Sequence, residues 1–209
     1  ASLGATWDLG NGFVPYASYA EGFTTNIGSS FSGAAFKPTE SDQLEVGLRY
    51  QPAGRNLLLS AALFDVTKTN VLTTDPSNPG FQVQTGEVRH KGLELEARGQ
   101  LTERLAAIFS YSYIDAEITR SNDGDAGNDA AKVPDHLAAL WLDYSFDGRL
   151  EGLKLGGGLR YVGESWGDNA NSRKVEDYFL ADVSVSYAWD DYRVSLGVTN
   201  LFDKAYDAT

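Results

Sequence analysis

Three groups of residues in this chain are of types that could do chemistry. The segment "SNDGDAGND" brings Asp123, Asp125 and Asp129 close together, as oxygen ligands for a hard cation would be. A calcium hand of that kind ends in a glutamate twelve positions from the first ligand, and that position is Pro134. The loop therefore reads as a solvated acidic loop. The only histidines are His90 and His136, and His136 follows Asp135 directly. Such a pair suggests a general base, but a base needs an oriented partner and an activated nucleophile or water, and neither is visible. The third group lies in "GEVRHKGLELEARGQL", where Glu94, Glu96 and Arg98 alternate with Leu93, Leu95 and Ala97. Charges at a period of two share one face of an extended chain, where they pair with charges on neighbouring strands.

The elements that would carry these residues are constrained by composition. There is no cysteine, which removes disulfides, thiolate metal sites and a cysteine nucleophile. Seventeen basic against 29 acidic residues give a net charge of -12, which argues against a nucleic-acid partner. Tyr, Phe and Trp make 12% of the chain and glycine numbers 22, a composition that favours strands. No run approaches the ~18 apolar residues of a spanning helix, so a membrane role would have to use strands. The opening "ASLGATWDLGNG" has neither the basic start nor the apolar core of a signal peptide, and methionine is absent. These features predict a fragment or a processed chain.

Ten period-2 segments follow one another, near residues 2–8, 13–21, 39–51, 57–69, 81–99, 104–119, 132–146, 153–166, 177–189 and 191–202. In "YFLADVSVSYAW" Phe179, Ala181, Val183, Val185, Tyr187 and Trp189 oppose Asp182, Ser184 and Ser186. The connections alternate as well. Those at 10–12, 52–56, 100–103, 147–152 and 190–191 are short and rich in turn formers, whereas 22–38, 70–80, 120–131 and 167–176 are long. Aromatics sort with them: Tyr50, Tyr144, Phe146, Tyr187, Trp189 and Tyr192 sit beside short turns, and Tyr111, Tyr113, Tyr161, Trp166 and Phe179 toward long loops. Two aromatic girdles around an aliphatic band, with short turns at one end and long loops at the other, predict an all-β, antiparallel transmembrane β-barrel of the outer-membrane type. On this reading Leu93, Leu95 and Ala97 face lipid, and Glu94, Glu96 and Arg98 face a wet interior. A soluble β-sandwich explains neither the loop asymmetry nor the strand lengths.

The succession "YASYAEGF", "KPTESDQLEVGLRYQP", "DVTKTNVLTTDP", "GEVRHKGLELEARGQL", "YSYIDAEIT", "VPDHLAALWLDYSF", "GGGLRYVGESWGDNANSRKVEDY" and "VTNLFDKAYDAT" resembles the C-terminal barrel half of TonB-dependent siderophore receptors, most closely the ferrichrome (ferric hydroxamate) type. The resemblance covers nearly the whole chain in order. It implies about ten consecutive strands of a plugged barrel of about 22. Residues 1–209 would form one partial barrel domain, with the plug domain, the first barrel half and the final strand lying outside them. The implied function is a receptor and transporter of the bacterial outer membrane, not an enzyme, which binds a ferric siderophore and is energised through the TonB complex by way of the N-terminal region. Its implied partners are that siderophore, of hydroxamate class, the TonB complex and the lipid bilayer.

In that family, ligand contacts come from the plug and from aromatics on the wall and loops above it. Here the candidates are Phe23, Phe31, Phe36, Phe81 and Trp166, whose faces would cover the apolar flank of an iron chelate. The competing role for each is packing in the lipid girdle or within a loop. No cofactor and no protein metal ligand is expected, since iron would arrive wrapped in its siderophore. Two other functions fit less of the sequence. One is a receptor for another metal chelate, such as a cobalamin-like ligand. The other is a self-contained ten-strand barrel with a structural or protease role, in which His136 would be the base and the strand near Ala5 would pair with that near Leu196.

Overall fold

The computed structural model describes residues 1–207. Ten strands form one antiparallel sheet: β1 (Ser2–Thr6), β2 (Phe13–Thr24), β3 (Thr39–Tyr50), β4 (Leu57–Thr74), β5 (Gln82–Gln100), β6 (Leu105–Arg120), β7 (His136–Ser145), β8 (Leu153–Val162), β11 (Tyr178–Trp189) and β12 (Tyr192–Val198). Within the connection from β8 to β11, β9 (Ser165–Trp166) and β10 (Lys174–Val175) make a separate two-stranded ribbon. Each of the ten strands pairs with its neighbours in sequence, so the sheet is a meander with β1 and β12 as its edges. These two edges do not pair with each other. A self-contained ten-strand barrel required that pairing, so this reading is corrected: the sheet is open.

Register carries the faces across the sheet. Leu48, Ala61, Leu95, Tyr111, Ala138, Tyr161 and Phe179 are successive cross-strand partners on one face. One residue along, Arg49, Ser60, Glu96, Ser110, Ala139, Arg160 and Leu180 follow one another on the other. The first face is aliphatic and aromatic and lies open, with Leu63 at 56% and Leu196 at 63% exposure. The second is polar, with Arg49, Glu96, Ser110 and Arg160 open on it, and its apolar members include Ala62 and Leu180, both buried. An apolar face this exposed is stable only against lipid, which puts the polar face inward.

Inner glycines make room for large rings. A Cβ on Gly158 would lie 2.4 Å from the Trp141 ring and one on Gly47 2.6 Å from the Tyr16 ring, so each aromatic lies flat over a glycine on the neighbouring strand. The guanidinium of Arg49 lies 5.1 Å from the centre of that Tyr16 ring, and the Tyr16 hydroxyl donates to Glu45 at 2.7 Å. Inward charges also pair between strands, Arg160 donating twice to Asp182 and Lys154 lying 3.4 Å from Asp143.

Several ends differ from the sequence expectation. The segment expected at 153–166 leaves the sheet after Val162, and Ser165–Trp166 joins the small ribbon. The one expected at 191–202 stops at Val198, because the Asn200 N–H donates to Asp182 and the Asn200 side chain accepts from the Lys204 N–H, a turn that competes with the ladder. β4 runs on to Thr74 through register shifts between Lys68 and Thr73. Strand β7 begins at His136, four residues later than expected at 132.

Candidate functional site

A membrane strand needs about 9 to 11 residues, yet β4 has 18 and β5 has 19. The excess stands above the bilayer on the side of the long connections. There the outward face changes character: Asp65 pairs with Arg89, and Lys91 lies 3.1 Å from Asp115, although all four share the parity of Leu63 and Leu93. Beyond the lipid, that face is wet.

Four long connections crown this end, and side-chain hydrogen bonds tie them to the ends of neighbouring strands and to one another. The Gln84 side chain accepts from the Lys37 N–H at 2.7 Å and donates back to the Lys37 carbonyl, joining the first connection to β5. Asp123 accepts from the Thr74 N–H at 2.8 Å, and Asn122 donates to Thr85 at 2.7 Å, joining the third to the outer ends of β4 and β5. Asn128 donates to the Asn169 carbonyl, Asp129 accepts from the Trp166 indole N–H at 2.9 Å, and the Asp129 N–H donates to Asn171. The third and fourth are thus zipped along their length.

Ionisation supports these loops. The Asn78 amide and the N–H groups of Ser77 and Asn78 donate to Asp75, which holds its carboxyl below the usual range. Ser172 does the same for Asp168 through its N–H and hydroxyl. Desolvation, with Asp129 nearby, pushes Asp135 up. The Glu164 carboxylate, 2.6 Å from the Lys174 ammonium, raises the pKa of that lysine.

The five aromatics expected to meet ligand do not form one cluster. Phe31 and Phe81 pack edge to face, ring centres 5.1 Å apart, across the first two connections. Phe36 lies against Gly28 within its own loop. Phe23 extends from the outer end of β2 with the parity of Tyr19, on the outward face, and is 74% exposed. Trp166 is held by Asp129 in the small ribbon, away from the girdle position expected for it.

Other girdle aromatics pack on one another, Tyr161 with Phe179 at 4.5 Å, and Tyr50 is joined by Phe13 at 4.4 Å. His136 belongs to this outer belt: its ring lies by Tyr111 and Tyr113, and its Nδ1 is 3.0 Å from the Tyr111 hydroxyl. Facing outward among aromatics, it is not placed as a base at the mouth. The inward groups Tyr16, Trp141 and Lys68 were not singled out in the sequence, although the same period-2 parity that identified Glu94 and Arg98 would have placed them.

An open antiparallel meander with an apolar outward face, a polar inward face, two aromatic belts and long connections at one end is a section of an outer-membrane β-barrel. The family model described as "TonB dependent receptor-like, beta-barrel" matches residues 1–201, and the chain belongs to this family. The family comprises receptors and transporters of the bacterial outer membrane rather than enzymes. The ferrichrome outer membrane transporter/phage receptor of Escherichia coli K12 is 42% identical over 99% of this chain and 28% of its own length. The ferrioxamine receptor of Yersinia enterocolitica is 37% identical over 100% of the chain and 29% of its own length. Among solved structures, the ferric preacinetobactin receptor of Acinetobacter baumannii superposes with a TM-score of 0.86 at 26% identity, over 98% of this chain and 32% of that one. The chain thus spans less than a third of the relatives it matches.

Proposed function

We propose that this chain is the C-terminal part of the barrel of a receptor that takes up a ferric siderophore of the hydroxamate class, driven through the TonB complex. The observation that carries the substrate class is the 42% identity, across 99% of the chain, to a relative named for ferrichrome, followed by one named for ferrioxamine. The plug and the TonB contact belong, on this reading, to chain outside these residues. Iron enters held by its chelator, so the barrel wall needs hydrogen-bonding and aromatic groups and no metal ligands. A relative of Pseudomonas aeruginosa named as a metal-pseudopaline receptor, 37% identical over 91% of the chain, favours a second reading, a receptor for a different metal chelate.

Uptake of radioactive iron decides between them. The full-length receptor, expressed in cells lacking their own hydroxamate receptors, should import iron from ferrichrome or ferrioxamine B and lose that import when TonB is deleted. Import from metal-pseudopaline alone would select the second reading.

A further inference from the structure

At the outer end of the inner face lies a cavity of about 440 Å³ between β2–β5 and the third long connection. Thr24, Thr39 and Ser41 line it with hydroxyls, Val88 and Val133 form an apolar wall, and Lys68 and His90 supply the other polar groups. Register places Lys68 between Ser41 and Val88, and His90 opposite Val66, all with the parity of the inward Ala62 and Phe64. In a chain with 29 acidic against 17 basic residues, no carboxylate lines this cavity among the described residues. Two inward cations further down have carboxylate partners: Arg160 has Asp182 and Lys154 has Asp143. Lys68 forms no ion pair, and His90 no side-chain hydrogen bond, among the described residues.

The geometry points to this cavity as a contact site for the oxygen-rich shell of an uncharged or anionic ferric chelate, with Lys68 disfavouring a chelate that carries its own cation. The inference rests on the siderophore-receptor reading. The ammonium and imidazole donate to ligand oxygens, the hydroxyls orient it, and the valines cover its apolar flank. An unpaired lysine on this wall attracts ligand oxygens and repels a second cation.

The test uses the full-length receptor and two probes, ferrichrome, an uncharged trihydroxamate, and ferrioxamine B, which carries a free ammonium. The wild type should bind ferrichrome more tightly than ferrioxamine B. Lys68→Gln should weaken ferrichrome binding by about tenfold, as expected for a hydrogen bond to a charged group, and should spare ferrioxamine B. Lys68→Arg should retain the preference, and Lys91→Gln, on the outward face, should leave both affinities unchanged. Wild-type ferrichrome affinity in both Lys68→Gln and His90→Gln would overturn the site and leave the receptor reading standing. Equal losses for the two chelates in Lys68→Gln would overturn the discrimination by charge. A wild type that bound neither would overturn the hydroxamate reading and this site together.

Discussion

Single side chains at the loop end act mainly as ties. Trp166, by composition an ordinary girdle aromatic, spends its indole N–H on Asp129 and so joins two connections. Trp166→Phe keeps the ring and removes the donor, leaving one lobe of the carboxylate to water. Its cost should be about 1 kcal/mol, and limited proteolysis should cut within 163–177 faster than in the wild type. Asp75 makes a pH prediction. Because its pKa is depressed in the folded state, its stabilisation is fully present above the ordinary carboxylate range and is lost only as pH falls through the lower, folded value. Hydrogen exchange at the Ser77 and Asn78 amides, corrected for intrinsic rates, should therefore stay flat from pH 7 to about 5 and rise only below the usual carboxylate range. A rise already at pH 5 to 6 would contradict the assignment.

At the scale of elements, one strand passes through two solvents. On the outward face of β5, Leu93, Leu95 and Ala97 meet lipid, while Arg89 and Lys91 stand above it and pair with Asp65 and Asp115. The period of two does not change along the strand; the medium does. Leu95→Arg should destabilise the full-length barrel by about 2–4 kcal/mol in reversible unfolding from lipid vesicles, the depth-dependent cost of a cation near the midplane. Lys91→Ala, on the same face two residues beyond Leu93, should cost under about 1 kcal/mol, because it breaks only an exposed ion pair. Similar costs at the two positions would mean that the bilayer boundary is misplaced.

For the whole molecule, the open meander governs behaviour. β1 and β12 each present an unpaired row of backbone donors and acceptors, and the apolar outer face has no protein cover. Edges of this kind invite pairing with other chains. The 209-residue chain refolded alone in detergent should therefore run as dimers or larger species in light scattering coupled to size exclusion, while the full-length receptor runs as a monomer. A stable monomer of the short chain would show that the edges are closed in some other way.

The sequence by itself determined the ten strands of the main sheet, the antiparallel class, the sorting of faces and the alternation of short and long connections, though not the small ribbon of β9 and β10. All of these follow from local rules: side chains in a strand alternate with a period of two, and turn residues mark the ends. "GLELEARGQL" could be read correctly because each of its residues has only two directions to point. Only the tertiary structure decided which residues meet across connections. Phe31 reaches Phe81, Trp166 reaches Asp129, and Lys68 shares a cavity with Val133, each over a separation that no periodicity encodes. The same holds for the end of β12 at Val198, where Asn200 is drawn to Asp182 on β11. Loop geometry has no repeat to read, so its partners emerge only when register has brought distant segments to one height.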